Sequence, residues 1–146
     1  MAELVATLPA VFLADNPAPF GDMVAVVEQA TPNAAQLLRA AGGVIPVPPS
    51  GDGSDTDFKV YTVAPLLGQA GSPDRFALVG EPDKWVSISA QRFSGLGPRS
   101  VSVSGAPGEV VRVNWADAAG AVISGVCTLP ASGKAVMKVA ASGAAC

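Results

Sequence analysis

The chain has 146 residues, 49% of them hydrophobic, and can bury one core, since domains of roughly 100 to 150 residues are the commonest size. Only 14% of the residues are charged, and the net charge of −3 is spread as single carboxylates with no run of either sign. That pattern excludes the clustered Lys and Arg that nucleic acid or an anionic membrane would require.

The N-terminal stretch "MAELVATLPAVFLADNP" is apolar, but no basic segment precedes it, and Glu3 and two prolines interrupt it, so it does not read as a signal peptide. No run approaches the ~18 to 20 continuous apolar residues of a membrane-spanning helix. A cytoplasmic location is the expectation. The next segment is ambiguous. "TPNAAQLLRAAGG" reads as a helix, with Thr31 as N-cap, Pro32 in the first turn and Gly42 as C-cap, and propensity alone favours this. It reads equally as the return of a hairpin, because "MVAVVEQA" before it is a good strand and "TPN" a reasonable turn. Residues 44–57, "VIPVPPSGDGSDTD", are expected to be a flexible surface loop with at most a short edge strand, since their prolines remove ladder donors.

From Phe58 onward the strand signal is nearly continuous. "DFKVYTVAPLL" stops at Pro65, "RFALVG" follows the turn "GQAGSPD", and "KWVSISA" alternates Val86 and Ile88 with Ser87 and Ser89. "RSVSVSG" repeats the pattern, and "GEVVRVNWAD" puts Val111, Val113 and Trp115 on one face with Arg112 and Asn114 on the wet one. "AGAVISGVCTL" and "KAVMKVA" complete seven expected strands between Phe58 and Ala140. Their separators, "SGLGP", "GAPG", "DAAG" and "PASG", recur about every ten residues, the signature of a sandwich or barrel. The Ala-rich residues 141–146 are expected to fray. The fold expected is a single all-β domain over 1–146, an antiparallel β-sandwich of roughly eight to ten short strands with Gly/Pro-rich turns.

For chemistry, the absences say most. The chain has no histidine, which excludes Ser-His-Asp and Cys-His catalysis and the usual zinc sites. "GLGPRSVSVSG" offers glycines but leads into a strand, so no helix N-terminus would face a phosphate. No cofactor, metal or catalytic residue is assigned. Glu81 and Asp83 in "GEPDKW" resemble the carboxylate pair of a glycosidase, but residues on one short turn cannot straddle a sugar. They read instead as exposed carboxylates of the β-turn Gly80–Asp83, which joins a strand Phe76–Val79 to a strand Lys84–Ala90. Trp115, in phase with two valines, reads as core; Trp85 and Tyr61 are the candidate sugar contacts. Cys127 lies mid-strand among apolar residues and Cys146 is the last residue, so both read as free thiols of a reduced compartment, with a disulfide between them as the alternative.

The runs "DFKVYTVAPLL" and "FALVGEPDKWVSISAQRF" resemble the C-terminal β-domain of the raffinose synthase, seed imbibition and alkaline α-galactosidase group of glycoside hydrolases. In that group a strand of the type aspartate, aromatic, x, V/L, Y, T/S, V, x, P precedes a "G-x-x-D-K" hairpin, and "VSVSGAPGEVVRVNWAD" reads as its continuing strands. The resemblance covers about Met23 to Leu129 and implies a hairpin in the ambiguous first third. It also implies that this chain is not an enzyme. Catalysis in the group belongs to aspartates on a (β/α)₈ barrel, which needs about 250 residues, and no position here corresponds to them. The chain would be a non-catalytic accessory domain whose partner is such a barrel or a second copy. A carbohydrate-binding module using Trp85 and Tyr61, or a structural sandwich protein of an assembly such as a virion, are the alternatives.

Overall fold

The computed structural model describes residues 4–7, 22–30, 32–40, 42–47, 60–84 and 91–146. Within them lie twelve strands and no helix: β1 (Leu4–Thr7), β2 (Met23–Glu28), β3 (Gln36–Arg39), β4 (Val44–Val47), β5 (Tyr61–Pro65), β6 (Phe76–Gly80), β7 (Phe93–Gly97), β8 (Ser100–Ser104), β9 (Val110–Asp117), β10 (Val122–Thr128), β11 (Lys134–Ala140) and β12 (Gly143–Ala145). The all-β expectation holds. The strands form a two-stranded sheet (β1-β4), a three-stranded sheet (β3-β2-β5) and a seven-stranded sheet in the order β6-β9-β10-β12-β11-β8-β7.

The ambiguous first third is a hairpin. β2 pairs antiparallel with β3, Met23 opposite Arg39 through Val26 opposite Gln36, and on its other edge with β5. The helical propensity of "AAQLLRA" is overridden because Val24 to Val27 are all buried. A strand covered on both faces in this way needs a ladder partner on each edge for its backbone groups. Thr31, the expected N-cap, lies outside the described residues. In the expected loop 44–57, Val44–Val47 is a strand paired with β1, and residues 48–59 lie outside the described set.

The seven-stranded sheet has one apolar face. Phe76 and Leu78 of β6, Val111, Val113 and Trp115 of β9, and Cys127 of β10 point into a single cluster. Phe93 of β7, Val101 and Val103 of β8, and Met137 and Val139 of β11 meet them there. Strands at opposite ends of one sheet share a core only if the sheet folds over on itself. Two leaves, β6-β9-β10 and β11-β8-β7, therefore face each other, with β12 at the bend. Seven strands do lie between Val60 and Ala140, but Phe93–Gly97 is one of them where the sequence reads as a separator. The expected strand Lys84–Ala90 falls at Trp85–Ala90 outside the described residues.

The tail is not frayed. β12 runs parallel to β10, with Gly125 opposite Ala144 and Val126 opposite Ala145, and antiparallel to β11, with Lys138 opposite Ala145 through Ala140 opposite Gly143. Cys127 and Cys146 form a disulfide across Cα atoms 5.5 Å apart, which corrects the expectation of free thiols: the strand carries Cys146 back beside Cys127. Closing a loop of 19 residues is worth about 3 kcal/mol in the chain-entropy account. The approach also requires glycine, since a Cβ on Gly125 would stand 2.6 Å from the Ala144 Cβ and 2.8 Å from its carbonyl oxygen.

The three-stranded sheet covers the back of β6 and β9. Ala25 and Ala64 meet Ala77, Ala116 and Leu66 in a second cluster, while Val24 and Val26, on the opposite face of β2, pack with Ile45 and Ala40. Asn114, expected on a wet face, is only 4% exposed, because this second layer lies over it. Its side-chain oxygen accepts a hydrogen bond from Ser124 Oγ at 2.6 Å. At the β9–β10 turn, Gly120 (φ +87°) accepts from Ala35 N at 2.9 Å, so the β2–β3 hairpin docks on that turn.

Replacing Gly125 with valine is expected to expel β12 and lower unfolding free energy by about 1 to 3 kcal/mol, the usual cost of overpacking. Val126→Ala, at an exposed neighbour, is expected to stay within about 0.5 kcal/mol. Urea denaturation of the two variants measures both; equal midpoints would show that β12 is not closely packed.

Candidate functional site

Two polar constellations stand out, one at each end of β9. The first gathers Glu81, just after β6, Arg92, just before β7, and Glu109, just before β9. Arg92 Nε and Nη2 donate to Glu81 at 2.6 and 2.7 Å. Nη2 and Nη1 donate to Glu109 at 2.7 and 3.3 Å, and Nη1 also to the Ser104 carbonyl at 3.2 Å. Lys84 Nζ lies 3.3 Å from Glu81 and 3.6 Å from Glu109, so two carboxylates share two cations. Because β6 and β7 are the outermost strands of the folded sheet among the described residues, the Glu81–Arg92 pair ties its two ends together.

This arrangement corrects the reading of Glu81. The turn is Glu81–Lys84, closed by Lys84 N donating to Glu81 O at 3.2 Å, one residue later than expected and with Pro82 in second place. The Glu81 side chain is 8% exposed where a wet turn carboxylate was expected, whereas Asp83 is exposed. The partner of Glu81 is thus Glu109, through Arg92, and not Asp83.

The bonds from Arg92 and from Ala106 N hold the Glu109 carboxyl down to about 2 from its ordinary 4.5, and those from Glu81 and Glu109 raise the Arg92 guanidinium further above its ordinary range. A general acid needs a pKa near the working pH. Glu109 is driven the other way, as suits a strut of permanent charges.

The second constellation is an open cleft of about 480 Å³ where β2 and β3, the loop before β6 and the β9–β10 turn meet. Its polar lining is Asp22, Ser72, Arg75 and Asp117, over a floor that includes Met23, Leu37 and Leu66. Arg75 Nη2 donates to Asp22 at 2.6 Å and to the Leu66 carbonyl at 2.8 Å. The bond from Arg75 is the main reason the Asp22 carboxyl lies below its usual value. Arg75 Nε is buried with no hydrogen-bond partner. The Asp117 carboxylate accepts from Ala119 N and Ala121 N, both at 2.9 Å, and shapes the turn.

Of the residues singled out in the sequence, Trp115 is fully buried in the core. Tyr61 is half-buried against the Val24–Ile45 cluster, and Trp85 lies outside the described residues. Sequence reasoning missed Arg92, Glu109, Arg75 and Asp22. Arg75 and Arg92 each immediately precede a strand that begins with a buried Phe, and that placement beside the core was the available signal. Among the described residues no group of three His, Cys, Asp or Glu is placed to hold a metal, and no helix is long and apolar enough to cross a membrane.

The chain matches no protein-family model, no curated protein and no solved structure.

Since the Glu109 pKa is lowered in the folded state, the unfolded chain binds more protons between the two values, and stability must rise with pH there. The contribution of Glu109 is expected to be intact above pH 4.5 and lost progressively towards about 2. Denaturation midpoints measured across that range should fall with acid, and less steeply in Glu109→Gln; identical slopes would count against the ion cluster.

Proposed function

We propose that the chain is a non-catalytic accessory β-domain that acts by docking to protein, comparable to the β-domain of the raffinose synthase and α-galactosidase group. The observation that carries this reading is the state of four carboxylates among the described residues. Glu81 and Glu109 are bridged by the same guanidinium, and Asp22 and Asp117 are committed to Arg75 and to a turn. Acid-base hydrolysis needs one carboxyl free to hold a proton at working pH and a second facing it across a substrate. Tyr61, set against a core cluster, gives little support to a sugar-binding platform.

The disulfide bears on location. Cross-links of this kind persist where thiols are oxidised, which favours an oxidising compartment over the cytoplasm for the folded chain. Thiol titration of the unreduced, denatured protein should detect none of its two cysteines, and two reactive thiols would restore the cytoplasmic reading.

With a chromogenic α-galactoside, release by the purified chain is expected to equal the buffer blank, while addition of the chain to an α-galactosidase barrel stripped of its own β-domain should raise the barrel's Tm. Turnover by the chain that disappears in Glu81→Gln or Glu109→Gln would overturn the proposal.

A further inference from the structure

The outward face of the seven-stranded sheet changes character along β9. Near Asn114 and Ala116 it is covered by the three-stranded sheet. Towards the other end it is bare. There Val110, Val126 and Val136 are 65%, 51% and 51% exposed, three of the five large hydrophobic side chains so exposed among the described residues.

Ladder registers place them together. Lys138, Ala145, Val126 and Arg112 form one row across β11, β12, β10 and β9. Val110 lies diagonal to Val126, and Val136 is two residues along from Lys138 on the same face. Lys134, Lys138 and Arg112 surround the valines. None of these cations is in an ion pair among the described residues. The other outward residues of β8, β10 and β12 are Ser, Thr, Gly, Ala and, at the covered end of β10, Val122, so no described carboxylate on these strands offsets the positive charge. In a chain of net −3 this face has the opposite sign.

The cleft at the far end is its counterpart. The Asp22–Arg75 pair shows its carboxylate to solvent and hides its guanidinium, with side chains 50% and 5% exposed. Asp117 adds a second carboxylate over the apolar floor of Met23, Leu37 and Leu66. The cleft volume of about 480 Å³ falls in the range that accommodates a compact apolar group with a few polar contacts. Val110 and Asp117 are the two ends of β9, about 23 Å apart at 3.3 Å per residue, so one molecule cannot bring the two surfaces together.

We infer that the valine face of one copy docks, flanked by its cations, into the acid-rimmed cleft of a second copy of this chain. Two different patches meeting head to tail make a heterologous contact, which propagates into a ring or a filament. The inference is independent of the accessory role: hydrolysis by the chain would overturn that role and leave this contact intact.

Light scattering over a concentration series tests it. At low salt the mass should rise above that of one chain, and less so in high salt, which screens exposed charges. Lys134→Glu with Lys138→Glu spoils the face, and Ala119→Arg, at an exposed turn position, fills and neutralises the cleft rim. Each should weaken association by about tenfold or more through like-charge contact, with an unchanged Tm as the folding control. Mixing the two variants leaves one good face and one good cleft, so it should give a dimer and nothing larger. A single-chain mass at every concentration, association unaffected by both variants, or a mixture that stays monomeric would each overturn the inference.

Discussion

β9 is the strand on which the molecule hangs, because its second half is buried on both faces. Val111, Val113 and Trp115 complete the core between the two leaves of the folded sheet, while Ala116 closes the alanine layer beneath β2 and β5. The alternation of a half-wet strand becomes continuous burial there, so no residue from Val113 to Ala116 can change size without disturbing one layer or the other. Both polar constellations are attached to the same strand, the Arg92 cluster at its start through Glu109 and the cleft at its end through Asp117. Two sites at opposite ends of one rigid element cannot shift independently.

The folded sheet is closed twice, by different chemistry. At the bend, a covalent bond fixes β12 to β10. On the other side, where β6 and β7 are the terminal strands and β6 has a single bridge, Leu67 to Phe76, on its outer edge among the described residues, a guanidinium shared between carboxylates joins them. Bare edges invite pairing with other chains, and a bidentate Arg–carboxylate pair has the geometric definition to hold two strands in place. In a chain with only 14% charged residues, concentrating four charges at this one seam indicates where the fold most needed them.

Strands with one wet face were legible in the sequence, since β8 and β11 and the first half of β9 announce themselves by period two. β3 was ambiguous because its Ala-Leu composition suits a helix, and only the demand of β2 for a neighbour decides. β7, "FSGLG", carries two glycines and read as a separator; pairing with β8 makes it a strand. β12 is Gly-Ala-Ala and has no propensity signal at all. Its position depends on Gly125 eighteen residues earlier, a vacancy no local pattern expresses. The charge cluster was equally hidden: Glu81, Arg92 and Glu109 are separated by 11 and 17 residues, and each looks like a solitary surface residue until the sheet folds. Asn114 misled for the converse reason, since its wet-looking face is covered by strands from the ambiguous first third.

The placement of β12 sets an order on synthesis. β10 and β11 leave the ribosome before the strand that belongs between them, so their facing edges lack their native ladder partner until β12 follows. Unpaired strand edges of this kind are general templates for pairing with other extended segments. Formation of the Cys127–Cys146 disulfide then fixes β12 in place. Because that step passes two electrons and two protons to an external oxidant or a donor disulfide, the thiol chemistry of the compartment helps determine how cleanly this sheet is completed.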